Sequence, residues 1–120
     1  MMEATRITVN LRVPDIAAAR DFYTGYLGLS VEDFNLGWVA RYRTPHGGAE
    51  LQLLTRDATA PQDPVASVRV GAAVDDAYAE ARRRGYEIVH PLTDEPWGVR
   101  RFFVRAPDGN ILNIVGHVDV

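Results

Sequence analysis

Along ITVNLRV, residues 7–13, apolar and polar positions alternate without a break. Ile7, Val9, Leu11 and Val13 take one side; Thr8, Asn10 and Arg12 take the other. A period of two belongs to a half-buried strand, and the apolar side is expected to meet a helix. Pro14 and Asp15 open that helix, since proline suits a first turn and aspartate accepts hydrogen bonds from its unpaired N–H groups. Ile16, Ala19, Phe22, Tyr23, Tyr26 and Leu27 then form one apolar stripe, which Gly28 stops. Three short strands are predicted near 30–35, 38–44 and 49–55, separated by Gly37 and by the PHGG turn at 45–48.

The polar stretch RDATAPQDPV, residues 56–65, reads as a linker, and after it the pattern restarts. ASVRVGAAV (66–74) predicts a strand. Asp75 or Asp76 is expected to cap a helix that runs to Arg84 and stops at Gly85. Further strands are expected near 86–90, 100–105 and 110–116. The halves superpose at a constant offset of 61 residues. Val13 falls on Val74, Asp15 on Asp76, Gly37 on Gly98, Gly48 on Gly109, Tyr42 on Phe103, Leu51 on Leu112 and Leu53 on Ile114. One offset for a strand-to-helix junction and two turn glycines marks a repeat. The expected fold class is α+β, with two tandem βαβββ modules in one domain over 1–120: module 1 at 5–55, the linker at 56–65 and module 2 at 66–116. Each module places one helix on one face of a four-stranded sheet. The other faces, side by side, are expected to curl around a trough.

Composition narrows the functions. A chain of 120 residues buries roughly two thirds of its unfolded surface, enough for a core. No apolar run reaches the roughly 20 residues of a membrane span, and the N-terminus lacks the basic and apolar regions of an export signal, so the expected location is the cytoplasm, with no membrane partner. There is no cysteine, and the 13 basic residues are all arginine, which removes thiolate and lysine Schiff-base chemistry. The net charge of −3 and pI near 5.5 argue against nucleic acid as a partner. The one basic run, Arg82 to Arg84, sits where a helix C-terminus favours positive charge.

Three segments, LRVPDIAAARDFYTGYLGL (11–29), VDDAYAEARRRG (74–85) and WGVRRFFVRAPDGNILNIV (97–115), together resemble the vicinal oxygen chelate superfamily, the glyoxalase, bleomycin-resistance and dioxygenase group. The last segment is most similar to the bleomycin-resistance branch, whose members carry a PWG, a Phe-containing strand and a DP-x-GN turn. Here Ala106 stands where that branch has Asp. Enzymes of the superfamily hold a divalent metal in the trough, and laying the glyoxalase pattern on this chain puts the four ligand positions at Thr8, Gln52, Arg69 and Asn113. The repeat and the strand parity give the same four.

None of the four suits a metal. Two are neutral amides, one is a hydroxyl, and arginine is a permanent cation without a lone pair. No metal and no other cofactor is therefore expected. Glu50 would turn inward only with a one-residue slip, and it is the one candidate for a catalytic base. His46, His90 and His117 fall on no inward repeat position and read as surface or loop residues. Of Arg100 and Arg101, at most one lines the trough. The resemblance implies a small-molecule binding protein, possible ligands including antibiotics, that sequesters its ligand and works as a homodimer, each trough being built within one chain or between two. Its ligand-binding set is Thr8, Asn10, Gln52, Arg69, Trp97, Phe102 and Asn113, with Trp97 at the groove mouth. The alternative reading is an enzyme of the same superfamily, a metal-independent isomerase or lyase or a metal-dependent glyoxalase or dioxygenase.

Overall fold

The computed structural model describes residues 2–117. The chain forms two compact units, residues 8–60 and residues 61–117 with the N-terminal residues through Ile7. Each is a four-stranded mixed sheet with one helix packed on one face.

In the first unit β1 (Arg6–Arg12), α1 (Ile16–Asp21), β2 (Val31–Asn35), β3 (Val39–Arg43) and β4 (Glu50–Leu54) follow in sequence, and the strands lie in the order β2-β3-β4-β1. β1 runs parallel to β4, and the other neighbours are antiparallel. Asp15 caps α1 as expected: its carboxylate accepts from the N–H groups of Ala17 and Ala18 at 2.9 and 3.3 Å. Ile16, Leu29, Ala40, Tyr42 and Leu53 form the core, with Leu11, Val13, Ala19 and Tyr23 against it.

Two expectations fail here. The helix is α-helical only to Asp21; Phe22–Tyr26 is a π turn, closed by the bond from Leu27 N–H to the Phe22 carbonyl at 3.1 Å. The wider turn shifts the helical phase of the residues beyond Asp21, so Phe22, Tyr26 and Leu27 lie exposed. The apolar side of β1 is likewise only half used. Leu11 reaches the core, whereas Ile7 and Val9 are 66% and 43% exposed, because the short helix covers only the far end of the strand.

In the second unit β5 (Ala66–Arg69), α2 (Val74–Arg83), β6 (Glu87–Asp94), β7 (Val99–Arg105) and β8 (Ile111–His117) give the order β5-β8-β7-β6. The predicted strand over 66–74 ends early. Gly71, at φ +59, turns the chain into a 3-10 turn, Gly71–Ala73, that leads into α2. Consequently Ala73 occupies the cap position without a side-chain bond, and Asp75 and Asp76 lie in the first turn, favourably placed at the positive end of the helix dipole. At the other end Glu80 holds Arg83 and Arg84, and these guanidiniums draw its pKa down to about 2. Val68, Val70, Val74, Ala77, Ala81, Phe102, Val104 and Ile114 form the core between α2 and the sheet.

Strand register corrects the repeat at one point. Tyr42 pairs with Leu51, but Phe103 pairs with Asn113, so the residue that matches Phe103 in the first unit is Arg41, the partner of Gln52. Tyr42 is in the helix-side core, and Phe103 points to the opposite face.

Candidate functional site

Of the residues singled out in the sequence, Thr8, Asn10, Gln52, Arg69 and Asn113 fall on the sheet face opposite the helix of their own unit. In the first unit they form two rungs. Asn10 is the register partner of Gln52, and Gln52 that of Arg41. The Gln52 amide donates to Asn10 Oδ1 at 2.6 Å. One rung away, Thr8, fully buried, donates its hydroxyl to Glu50 Oε2, and Glu50 is the register partner of Arg43. Glu50 therefore shares the face of Gln52 without any slip, as residues two apart on a strand must. Arg41 and Arg43 both reach back to Asp33, at 3.2 and 2.8 Å, and Arg41 lies 4.9 Å from the centre of the Phe34 ring. Burial pushes the Asp33 pKa up, yet the Arg43 and Arg41 guanidiniums outweigh it and hold the carboxyl below its usual range. Asp33 stands at a register shift in β2, and no alternation pattern would have located it there.

In the second unit one rung reads Ser67, Asn113, Phe103, His90 across β5, β8, β7 and β6. The next reads Arg69, Val115, Arg101, Thr93. Asn113 donates through Nδ2 to Ser67 Oγ at 3.0 Å. Its Oδ1 is buried and accepts no hydrogen bond among the described residues. A buried amide oxygen left without a donor costs about 1–3 kcal/mol. The Arg69 carbonyl is tied to the backbone and hydroxyl of Thr5, at 2.8 and 3.1 Å.

Trp97 sits in the tight turn between β6 and β7, where Gly98 takes φ +95 and Glu95 and Val99 close the backbone at 2.8 Å. The glycine is needed for that left-handed geometry. The indole is half-buried, and the Arg101 guanidinium lies 5.0 Å from its ring centre and 4.7 Å from that of Phe103. Of the two neighbouring arginines only Arg101 is on this face. Arg100 turns the other way and pairs with Asp75 and Asp94, each at 2.7 Å.

Two expectations about individual residues are overturned. Phe102 belongs to the core between sheet and helix, its ring 5.0 Å from that of Tyr78, and does not share the face of Arg69 and Asn113. His90 is neither a loop nor a surface residue. It is buried on that face, 3.1 Å from Glu95 Oε2, with its ring 5.3 Å from Phe103. Glu95 in turn accepts from Arg101 Nε at 2.6 Å. The sequence carried this trio as H-P-L-T-D-E-P-W-G-V-R-R, a strand running through a proline into a tight turn, and the irregular register of β6 hid which way His90 points. His46 lies exposed in the 45–48 turn, and the side chain of His117 lies outside the described residues.

The chain belongs to the Glyoxalase/Bleomycin resistance protein/Dioxygenase superfamily, whose family model matches residues 6–114. Solved structures with the same fold include a superfamily member from Vibrio splendidus, at 16% identity and TM-score 0.69, covering 92% of this chain and 97% of that one. Methylmalonyl-CoA epimerase from Mycobacterium tuberculosis is 21% identical at TM-score 0.70, with 97% and 90% coverage. The NAD-dependent benzaldehyde dehydrogenase structure from Legionella pneumophila is 20% identical at TM-score 0.75, with 94% and 100% coverage. At such identities the likeness is one of fold. No curated protein matches the sequence.

The side chains at the four positions do not suit a metal in either unit. Thr8 and Gln52 in the first and Asn113 in the second offer neutral oxygens and nitrogens, and Arg69 in the second is a permanent cation without a lone pair. Among the described residues no three His, Asp or Glu side chains gather as a metal-binding group.

Proposed function

We propose that this protein binds a small molecule without a metal and acts by sequestering it, in the manner of the bleomycin-resistance branch, as a homodimer. The observation that carries the reading is the polar set on the face opposite α2. The buried Asn113 oxygen wants a donor, Arg69 brings a cation to the same face, and Trp97 sets an indole at the neighbouring turn. Such a set suits a flat ligand with a hydrogen-bond donor and a carboxylate: Arg69 clamps the anion, Asn113 accepts from the donor and Trp97 supplies a stacking surface. Thr8, Asn10 and Gln52 form the corresponding polar set on the first sheet.

Calorimetric titration with a panel of flat carboxylate-bearing and cationic compounds, antibiotics included, tests the proposal. Saturable binding of at least one carboxylate, weakened about tenfold or more in Arg69→Met, is the expected result. A panel that gives no heat of binding, or an Arg69→Met variant that binds like the parent, would sink it. Light scattering tests the dimer.

A further inference from the structure

We propose that His90 is a proton-accepting site, reachable by a small molecule that donates an O–H or N–H, with Nδ1 as the accepting atom and Glu95 as its positioning residue. The inference stands on the His90–Glu95–Arg101 geometry and is independent of the Arg69 clamp. Arg101 is permanently charged and donates to Glu95 Oε2 at 2.6 Å. Both side chains are almost wholly buried, 4% and 3% exposed. The glutamate is therefore a carboxylate, which accepts hydrogen bonds and donates none. The same Oε2 lies 3.1 Å from His90 Nε2, so the hydrogen in that contact belongs to the histidine. A neutral ring protonated at Nε2 leaves the lone pair on Nδ1.

Nδ1 makes no hydrogen bond among the described residues, and the side chain keeps 11% of its exposure. Phe103 lies against the ring and fixes its plane. Among the described residues Glu95 is the charged group against the ring, and Arg101 is paired with it; Asp94 and Arg100 pair with each other on the opposite side of β7. In the transfer the X–H proton of the ligand moves to Nδ1, the bonding pair stays on X as the conjugate base, and the imidazolium is held by Glu95. The reverse transfer restores both. A carboxylate that orients imidazole and stabilises its protonated form is the requirement for general base chemistry.

The experiment uses the full chain labelled with 15N-histidine, the His90 signals being assigned with His90→Gln. In the neutral ring the proton is expected on Nε2. In Glu95→Gln the preference for that tautomer falls about tenfold. Phenol, an O–H donor, shifts the Nδ1 resonance, and anisole, the same ring without the donor, does not. Diethyl pyrocarbonate modifies His90 as well as the exposed His46. A neutral ring protonated at Nδ1, equal or absent shifts with phenol and anisole, or a His90 untouched by the reagent would each overturn the proposal. The tautomer, the phenol comparison and the reagent are all read on the unmutated protein, so a misfolded variant does not blunt the test.

Discussion

Arg101 is held by two kinds of contact at once, the Glu95 carboxylate and the faces of Trp97 and Phe103. Its loss would leave a carboxylate buried without its cation, which costs about 3–5 kcal/mol. Arg101→Met is expected to lose stability on that scale in urea unfolding, and the double change with Glu95→Gln to recover part of it. A single variant within about 0.5 kcal/mol of the parent would mean that the pair is not closed in solution. Gly116 is constrained differently. A Cβ built there meets the Gly71 carbonyl oxygen at 2.2 Å and Val74 Cβ at 3.2 Å. The nearest atom is backbone at the start of the 3-10 turn and cannot swing aside. Gly116→Ala should therefore destabilise by about 1–3 kcal/mol, measured by the thermal midpoint. A neutral substitution would contradict the close packing of β8 under that turn.

At the scale of elements, β2 and β3 are joined by Tyr42, whose buried hydroxyl donates to Glu32 Oε1 at 2.7 Å. Burial first, and then the Glu32 bond, raise the Tyr42 pKa above its usual 10.0. The Tyr42 bond and then the Asn35 amide lower that of Glu32 below 4.5. The Tyr42 contribution to stability is full below pH 10.0 and is lost as pH rises through the higher folded value. The Glu32 contribution is full above pH 4.5 and is lost as pH falls through the lower folded value. Tyr42→Phe should cost about 1 kcal/mol at neutral pH and flatten both limbs of the stability–pH curve. Unchanged limbs in urea titrations would remove Tyr42 and Glu32 as their source.

The elements also show where the sequence is legible. Strand alternation and the glycine stops located the two α-helices and the eight strands of the described residues to within a few residues. Alternation could not see the π turn after Asp21, which changes the helical phase without any proline or glycine at its start. Nor could it choose between Phe102 and Phe103. Which of two adjacent aromatics faces the helix depends on the register across residues 106–110, and that turn closes one residue differently from its counterpart at 44–49.

For the molecule as a whole, the resemblance of three segments pointed to the family and to four ligand positions, with which the repeat agreed. Parity put Thr8, Gln52, Arg69 and Asn113 on the sheet faces opposite the helices. What remained hidden was the company those residues keep. The His90–Glu95–Arg101 trio depends on the bulged register of β6, and the Asp33 clamp on Arg41 and Arg43 on a second bulge. Both are settled by tertiary packing rather than by local pattern.

The most direct test of a metal-free binding face is a fluorescence titration of Trp38→Phe, which leaves Trp97 as the one tryptophan, carried out in the presence of a strong chelator. The account predicts that a flat carboxylate-bearing compound changes the Trp97 emission saturably, with an affinity that the chelator leaves unchanged. Emission that stays constant across the panel, or a response that the chelator abolishes, would contradict it.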